Sequence, residues 1–185
     1  MSGWDAYLHQ ITNKYDAAQQ KYTLTGCCEF ASIYGLDGNA WANSPGFALY
    51  TYGFDLPQED GSTKKVEVNE FKCVLEATKG NRKGSEAGIR IANQKYMLIQ
   101  HNPDKNSVYL AREGGGGACI VRTTQTVIIG VWNKAGMMSN GKTQSQGMCN
   151  ELVEDMAKYL GASGYWGATR VTQPNKLFST LFRYP

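Results

Sequence analysis

A chain of 185 residues with 42% hydrophobic and 19% charged side chains has the balance of one folded domain, with a core large enough to bury most of its apolar surface. The formal net charge of +3 is too small to imply a nucleic-acid partner, although it leaves room for a local basic patch. Five cysteines without a C-x-x-C pair, and only two histidines, argue against a zinc site or disulfide framework, so free thiols and a metal-free, cofactor-free chain are expected.

The N-terminus lacks a basic region followed by an apolar run, and no apolar segment has membrane length, which predicts a soluble cytoplasmic protein. From Ser2 the chain reads SGWDAYLHQITNKYDAAQQ, with Trp4, Tyr7, Leu8, Ile11 and Tyr15 at helical spacing and Ser2 with Asp5 as a capping pair. An amphipathic helix is expected there. CCEFASIYG and AWANS follow as two strands joined by LDGN, where Asp37-Gly38 matches a tight hairpin turn. The region from Pro45 to Lys65 mixes turn formers with no clear period and reads as a long loop.

VEVNEFKCVLEATKG spaces Phe71, Val74, Leu75 and Thr78 along one face and predicts a short second helix. AGIRIAN, QKYMLIQ, SVYLARE, ACIVRTT and TVIIGVW are then five β-branched or aromatic runs with connections too short for crossover helices. They must run antiparallel. GMCNELVEDMAKYLG closes with an apolar stripe from Cys149 to Leu160 and stops at Gly161. Strands in succession, with helices segregated around them, give an α+β fold.

Gly136 to Thr143 reads GMMSNGKT and satisfies G-x-x-x-x-G-K-[ST], the phosphate-cradling pattern. That pattern needs a parallel sheet and a helix beginning at its Lys-Thr pair, so that backbone N–H groups face the phosphates. Here the helical periodicity starts only near Gly147, and the surrounding strands are antiparallel. Nucleotide binding by residues 136–143 is kept as a remote alternative. EGGGGAC joins two strands and reads as a hairpin connection, and neither His9 nor His101 sits in a recognisable catalytic motif. No enzyme is expected.

The opening SGWDAYL, the YGLDGNAWA hairpin, GIRIANQKYMLIQ, the glycine turn before ACIVRTTQTVIIG and the closing CNELVEDMAKYLGASGY occur in an order that resembles profilin. GIRIANQKY and GGACI are similar to protist profilins in particular. The resemblance implies a central antiparallel sheet with the N- and C-terminal helices packed together on one face and a shorter helix elsewhere. It also implies a non-enzymatic protein that binds monomeric actin and proline-rich partners such as formins, and responds to phosphoinositides.

Carried over by position, the proline-rich ligand would lie on Trp4, Tyr7, Trp41, Tyr159, Leu160 and Tyr165. The chemistry is coherent. A polyproline II rod has three residues per turn, presents carbonyl acceptors and has no N–H on its prolines, whereas Trp and Tyr offer a flat face and a donor together. Actin contacts would fall on Lys95, Leu98, Ile99, Arg112, Arg122, Asn150, Glu151 and Glu154.

Two departures stand out. NKAGMMSNGKTQSQG lengthens the connection before the last helix, beside the expected actin surface, and WGATRVTQPNKLFSTLFRYP follows Tyr165, where relatives usually end. Residues 1–165 are accordingly read as the profilin domain and 166–185 as a C-terminal segment that is either a native extension or an appended tail. The long connection keeps a second reading open, that of a polyproline-binding module with weak or lost actin binding.

Overall fold

The computed structural model describes residues 3–163. A helix α1 (Asp5–Thr12) opens the chain, carried inward by Leu8 and Ile11. Trp4 is its N-cap residue and makes no side-chain capping bond, and Asp5 in the first turn complements the helix dipole; Ser2, expected to cap together with Asp5, lies outside the described residues. It also ends earlier than its sequence periodicity implies. Asn13 turns extended, and its amide Nδ2 donates to the His9 carbonyl at 2.8 Å while its Oδ1 accepts from the Gly26 N–H at 2.9 Å. Helical continuation would break both contacts.

The chain beyond Asn13, expected to remain helical, forms a hairpin of β1 (Lys14–Asp16) and β2 (Lys21–Leu24). Tyr15 and Tyr22 pair edge-on with ring centroids 5.2 Å apart, and Asp16 Oδ1 accepts from the Ala18 and Gln19 N–H groups in the turn. Next come β3 (Phe30–Gly35) and β4 (Ala40–Asn43). Their turn is wider than a two-residue hairpin: Gly35 N–H bonds the Asn39 carbonyl, and Gly38 alone takes a positive φ, of 87°.

The segment expected to be a loop is a third hairpin, β5 (Thr51–Pro57) and β6 (Thr63–Asn69), paired without a break from Thr51↔Asn69 to Pro57↔Thr63. It forms a sheet of its own and packs Val68, with Tyr52, Phe54 and Val66, against Cys73 and Ala87. Helix α2 (Glu70–Thr78) spans the expected face from Phe71 to Thr78 and begins where the Asn69 side chain accepts from the Lys72 N–H. The five expected strands are all present: β7 (Ile89–Ile91), β8 (Gln94–Asn102), β9 (Ser107–Arg112), β10 (Gly117–Arg122) and β11 (Thr126–Trp132). Helix α3 (Gln146–Ala162) closes the described chain, capped by Ser145.

The main sheet has seven strands in the order β4-β3-β11-β10-β9-β8-β7, all antiparallel neighbours. Alternation along each strand supplies two cores. Ala31, Ile33, Cys119, Val121 and Ile128 face α1 and α3, while Tyr34, Leu110, Ile120, Val127 and Ile129 face α2. Gly130 lets α3 seat directly on β11, since a Cβ there would lie 2.4 Å from Val153 Cγ2. All five cysteines are buried free thiols. The terminal helices share one face and α2 lies on the other, the α+β arrangement expected from sequence, although α2 with nine residues is not shorter than the eight-residue α1.

A buried carboxylate joins the β5–β6 hairpin to this frame. Glu70, fully shielded at the start of α2, accepts from the backbone N–H groups of Tyr50, Ala92 and Asn93 at 2.7–2.9 Å and from the Tyr52 hydroxyl at 3.2 Å. Ala92 and Asn93 have φ of 50° and 65°, the mirror-image turn that a two-residue hairpin requires. One side chain thus fixes the β7–β8 turn, the start of β5 and the start of α2.

Candidate functional site: an aromatic row and an open strand surface

Four half-buried rings meet where α1, α3 and the β3–β4 hairpin converge. Trp4 lies 4.7 Å from Trp41 and 5.2 Å from Tyr7, and Tyr7 lies 5.8 Å from Tyr159, each pair tilted by 32–44°. All four rest on the core between the terminal helices and the sheet. Trp41 is held by a missing side chain, because a Cβ on Gly35 would come within 2.8 Å of its indole Nε1. The row is therefore built from three separate chain segments, and its tilted faces and polar ring atoms suit an extended, acceptor-rich ligand. Leu160 is buried beneath the rings and supports them from the core, while Tyr165 lies outside the described residues.

The other predicted set is divided by the sheet. Lys95 alternates with the buried Tyr96 and points to the α3 side, and Ile99, at a bulge in β8, is 53% exposed. Asn150 and Glu151 lie on the first turns of α3, with Glu151 bonded to Lys14 at 2.8 Å. Leu98 is buried in the core facing α2. Arg112 pairs with Tyr96 and meets Glu29 at 3.4 Å, and Arg122 pairs with Val127, so register sends both to the α2 side.

Glu154 is almost wholly buried and accepts from Lys105 Nζ at 2.8 Å, Ser107 Oγ at 3.0 Å and the Tyr109 hydroxyl. The sequence reading missed Met97, which is 64% exposed on β8 opposite Ala111. Its signal was present: in QKYMLIQ an apolar side chain occupies the alternation expected for polar ones. Since α1 rests on β3 and β4 and α3 on β10 and β11, the α3-side surface of β8 remains open around Met97 and Ile99.

Glu154 carries a pH dependence. Burial alone raises its pKa, but the hydrogen bonds from Lys105, Tyr109 and Ser107 and the Lys105 charge outweigh it and lower the value from the usual carboxylate range. A depressed folded-state value adds stability that is fully present above the unfolded carboxylate pKa of about 4.3 and disappears as pH falls through the folded value. Urea midpoints should therefore separate wild type from Glu154→Gln at neutral pH and converge in acid. A gap that persists unchanged below about pH 3 would remove the charge from this account.

The loop 133–145 does not form a phosphate cradle. Met137 and Thr143 form an antiparallel bridge, Met138 N–H donates to the Lys142 carbonyl, Gly141 N–H to the Met138 carbonyl and Lys142 N–H to Asn140 Oδ1. The donors a phosphate would need already bond within the loop. It is tied down through Gln144, which accepts from the Asn133 N–H and donates to the Gly26 carbonyl, and through Met138 packed on Leu24, Cys27 and Leu152.

The fold and the row together define an α+β module: one antiparallel sheet, both terminal helices on one face, and aromatic rings in contact between them. The profilin family model matches residues 2–165, and the chain belongs to the profilin family. It is 34% identical to the profilin of Tetrahymena pyriformis over 168 residues, covering 89% of this chain and all of that one. Among solved structures, Acanthamoeba castellanii profilin II superposes with a TM-score of 0.53 at 27% identity, covering 76% of this chain and 90% of that one. Mouse profilin IIa, solved in complex with a double repeat from the FH1 domain of mDia1, shares the fold with a TM-score of 0.55 at 18% identity, over 88% and 99% of the two chains. Profilins are non-enzymatic actin-binding proteins. No helix among the described residues is long and apolar enough to cross a membrane.

Proposed function

We propose that this chain binds monomeric actin and regulates its polymerisation, and that it docks proline-rich segments of formin-type partners on the aromatic row. The observation that carries the reading is the unbroken contact from Trp41 through Trp4 and Tyr7 to Tyr159. Tilted rings in contact, with polar edges, match the pyrrolidine faces and outward carbonyls of a polyproline II helix, which loses little entropy on binding. The complex of mouse profilin IIa with a formin repeat supports the same chemistry.

The open strand surface beside α3, with Met97, Ile99 and Lys95, is the proposed actin face; Asn150 stands on the first turns of that helix, while Glu151, bonded to Lys14, lies on its α1 flank and enters the proposal only at the margin. Arg112, Arg122, Leu98 and Glu154 enter this proposal as supports, since three lie on the far side of the sheet and the fourth is committed to internal bonds. Actin would hold the nucleotide; the chain needs none. Surface lysines and arginines provide for weak competition by phosphoinositides. Residues 1–165 make the working domain in the cytoplasm, associated with the cytoskeleton, and 166–185 an extension.

A second reading has its own observation. The anchored loop 133–145 presents Met137, 60% exposed, close to the start of α3, where it either adds to or obstructs an actin contact. Retention on immobilised polyproline beside an actin-assembly assay separates the two. The proposal expects retention and slowed spontaneous assembly at molar excess. Retention with unaltered assembly would leave a polyproline-binding module. Repeating both assays on chains ending at Tyr165 tests the extension.

A further inference from the structure

Next to Tyr159 the seam between α1 and α3 opens into a cleft of about 250 Å3. Gln10, Lys14 and Tyr15 form one wall and Asp155, Met156 and Tyr159 the other. Free-standing ligand pockets run from about 300 to 1,000 Å3, so this cleft is too small to stand alone. It is, however, continuous with the aromatic row, because Tyr159 belongs to both.

We infer that the cleft is an additional subsite for the same proline-rich ligand, occupied by residues that run on past Tyr159. The inference rests on the polyproline reading above and adds to it a length requirement. Three ring-to-ring steps from Trp41 to Tyr159, each of about 5 Å, correspond to about five residues of polyproline II at 3.1 Å per residue. A longer run must leave the row, and the cleft lies against its last ring.

The chemistry of the cleft repeats that of the row. Tyr15 supplies a second ring, held edge-on by Tyr22 so that little freedom is lost when a ligand packs on it. The Gln10 amide and the Lys14 ammonium are donors for carbonyls that have no internal partner. Lys14 directs one hydrogen to Glu151 at 2.8 Å, which leaves two of its three. The cleft depends on the β1–β2 hairpin, since Tyr15 enters it only because the chain leaves helix at Asn13.

Two peptides of equal length test this by titration calorimetry: about six prolines followed by about six more, and about six prolines followed by a glycine-serine run. Tyr15→Ala is expected to weaken the all-proline peptide about three- to tenfold and to leave the hybrid within about twofold. Gln10→Ala, on the surface of an intact helix, should lower the same ratio by a smaller factor and guards against a disturbed hairpin. An unchanged ratio in both variants overturns the subsite, as does equal weakening of both peptides. Failure of wild type to bind either peptide would overturn the polyproline reading as well, whereas binding that Trp4→Ala abolishes but Tyr15→Ala ignores sinks the subsite alone.

Discussion

Trp4→Ala is expected to abolish retention on immobilised polyproline, weakening binding by at least about thirtyfold, as for a central interface tryptophan contributing about 2 kcal/mol or more. Its ring touches Trp41 on one side and Tyr7 on the other, so its loss breaks the row in the middle. Folding should survive, because Trp4 stands at the helix N-cap without a side-chain capping bond and its ring is only partly buried. The strand surface around Met97 and Ile99 is a separate patch, and actin assembly should respond to the variant as to wild type. Gly35→Ala approaches the same row from beneath by displacing the Trp41 indole, and should weaken retention without touching a ligand-facing atom. Undiminished retention by Trp4→Ala would place the proline-binding surface elsewhere.

For Glu70→Ala the expected loss is about 3 kcal/mol of folding stability, read as a fall in Tm of roughly 6–12 °C. Three backbone donors and one phenol converge on this carboxylate in the interior, and alanine leaves all four without an acceptor. Glu70→Gln keeps one acceptor oxygen but turns an NH2 group toward backbone donors, so it should fall between wild type and alanine. Exposed Glu67 on the neighbouring strand is the control, and Glu67→Ala should change Tm by little. Equal effects at the two positions would show that the carboxylate does not tie the β5–β6 hairpin to the sheet.

These two positions differ in how legible they were. Trp4 and Tyr7 stand in an opening motif, and their position at helical spacing marks them as one face of a helix. Glu70 gave no signal, since a charged residue before an apolar stripe reads as an ordinary helix start. Its role depends on Tyr50, Ala92 and Asn93, which lie more than twenty residues away on either side or close to it.

The β5–β6 hairpin carries a local signal that its turn formers obscure. Tyr52, Phe54 and Leu56 alternate with Gly53, Asp55 and Pro57, and a turn-rich QEDGS follows, but the glycine and prolines outweighed a period of two. The segment after Asn13 was less readable. KYDAAQQKYTL is compatible with helix by composition, and hydrogen bonds from Asn13 to both sides of the chain decide against it.

The amino-acid sequence by itself determined the α+β class, the five late strands, the closing helix and the aromatic residues at both ends of the chain, because apolar periodicity is a local property that each segment carries alone. It also reduced GMMSNGKT to a remote candidate for a phosphate loop, from the late start of the helix and the antiparallel setting, and the loop's own hydrogen bonds then took up the donors a phosphate would need. Only the tertiary structure decided that four rings from three segments touch, that Arg112 and Arg122 face away from α3, that Glu154 is internal and that Tyr15 leaves α1 to line a cleft beside Tyr159. Those outcomes depend on strand register and on which helix covers which strand, and both are set by contacts between residues far apart in the chain.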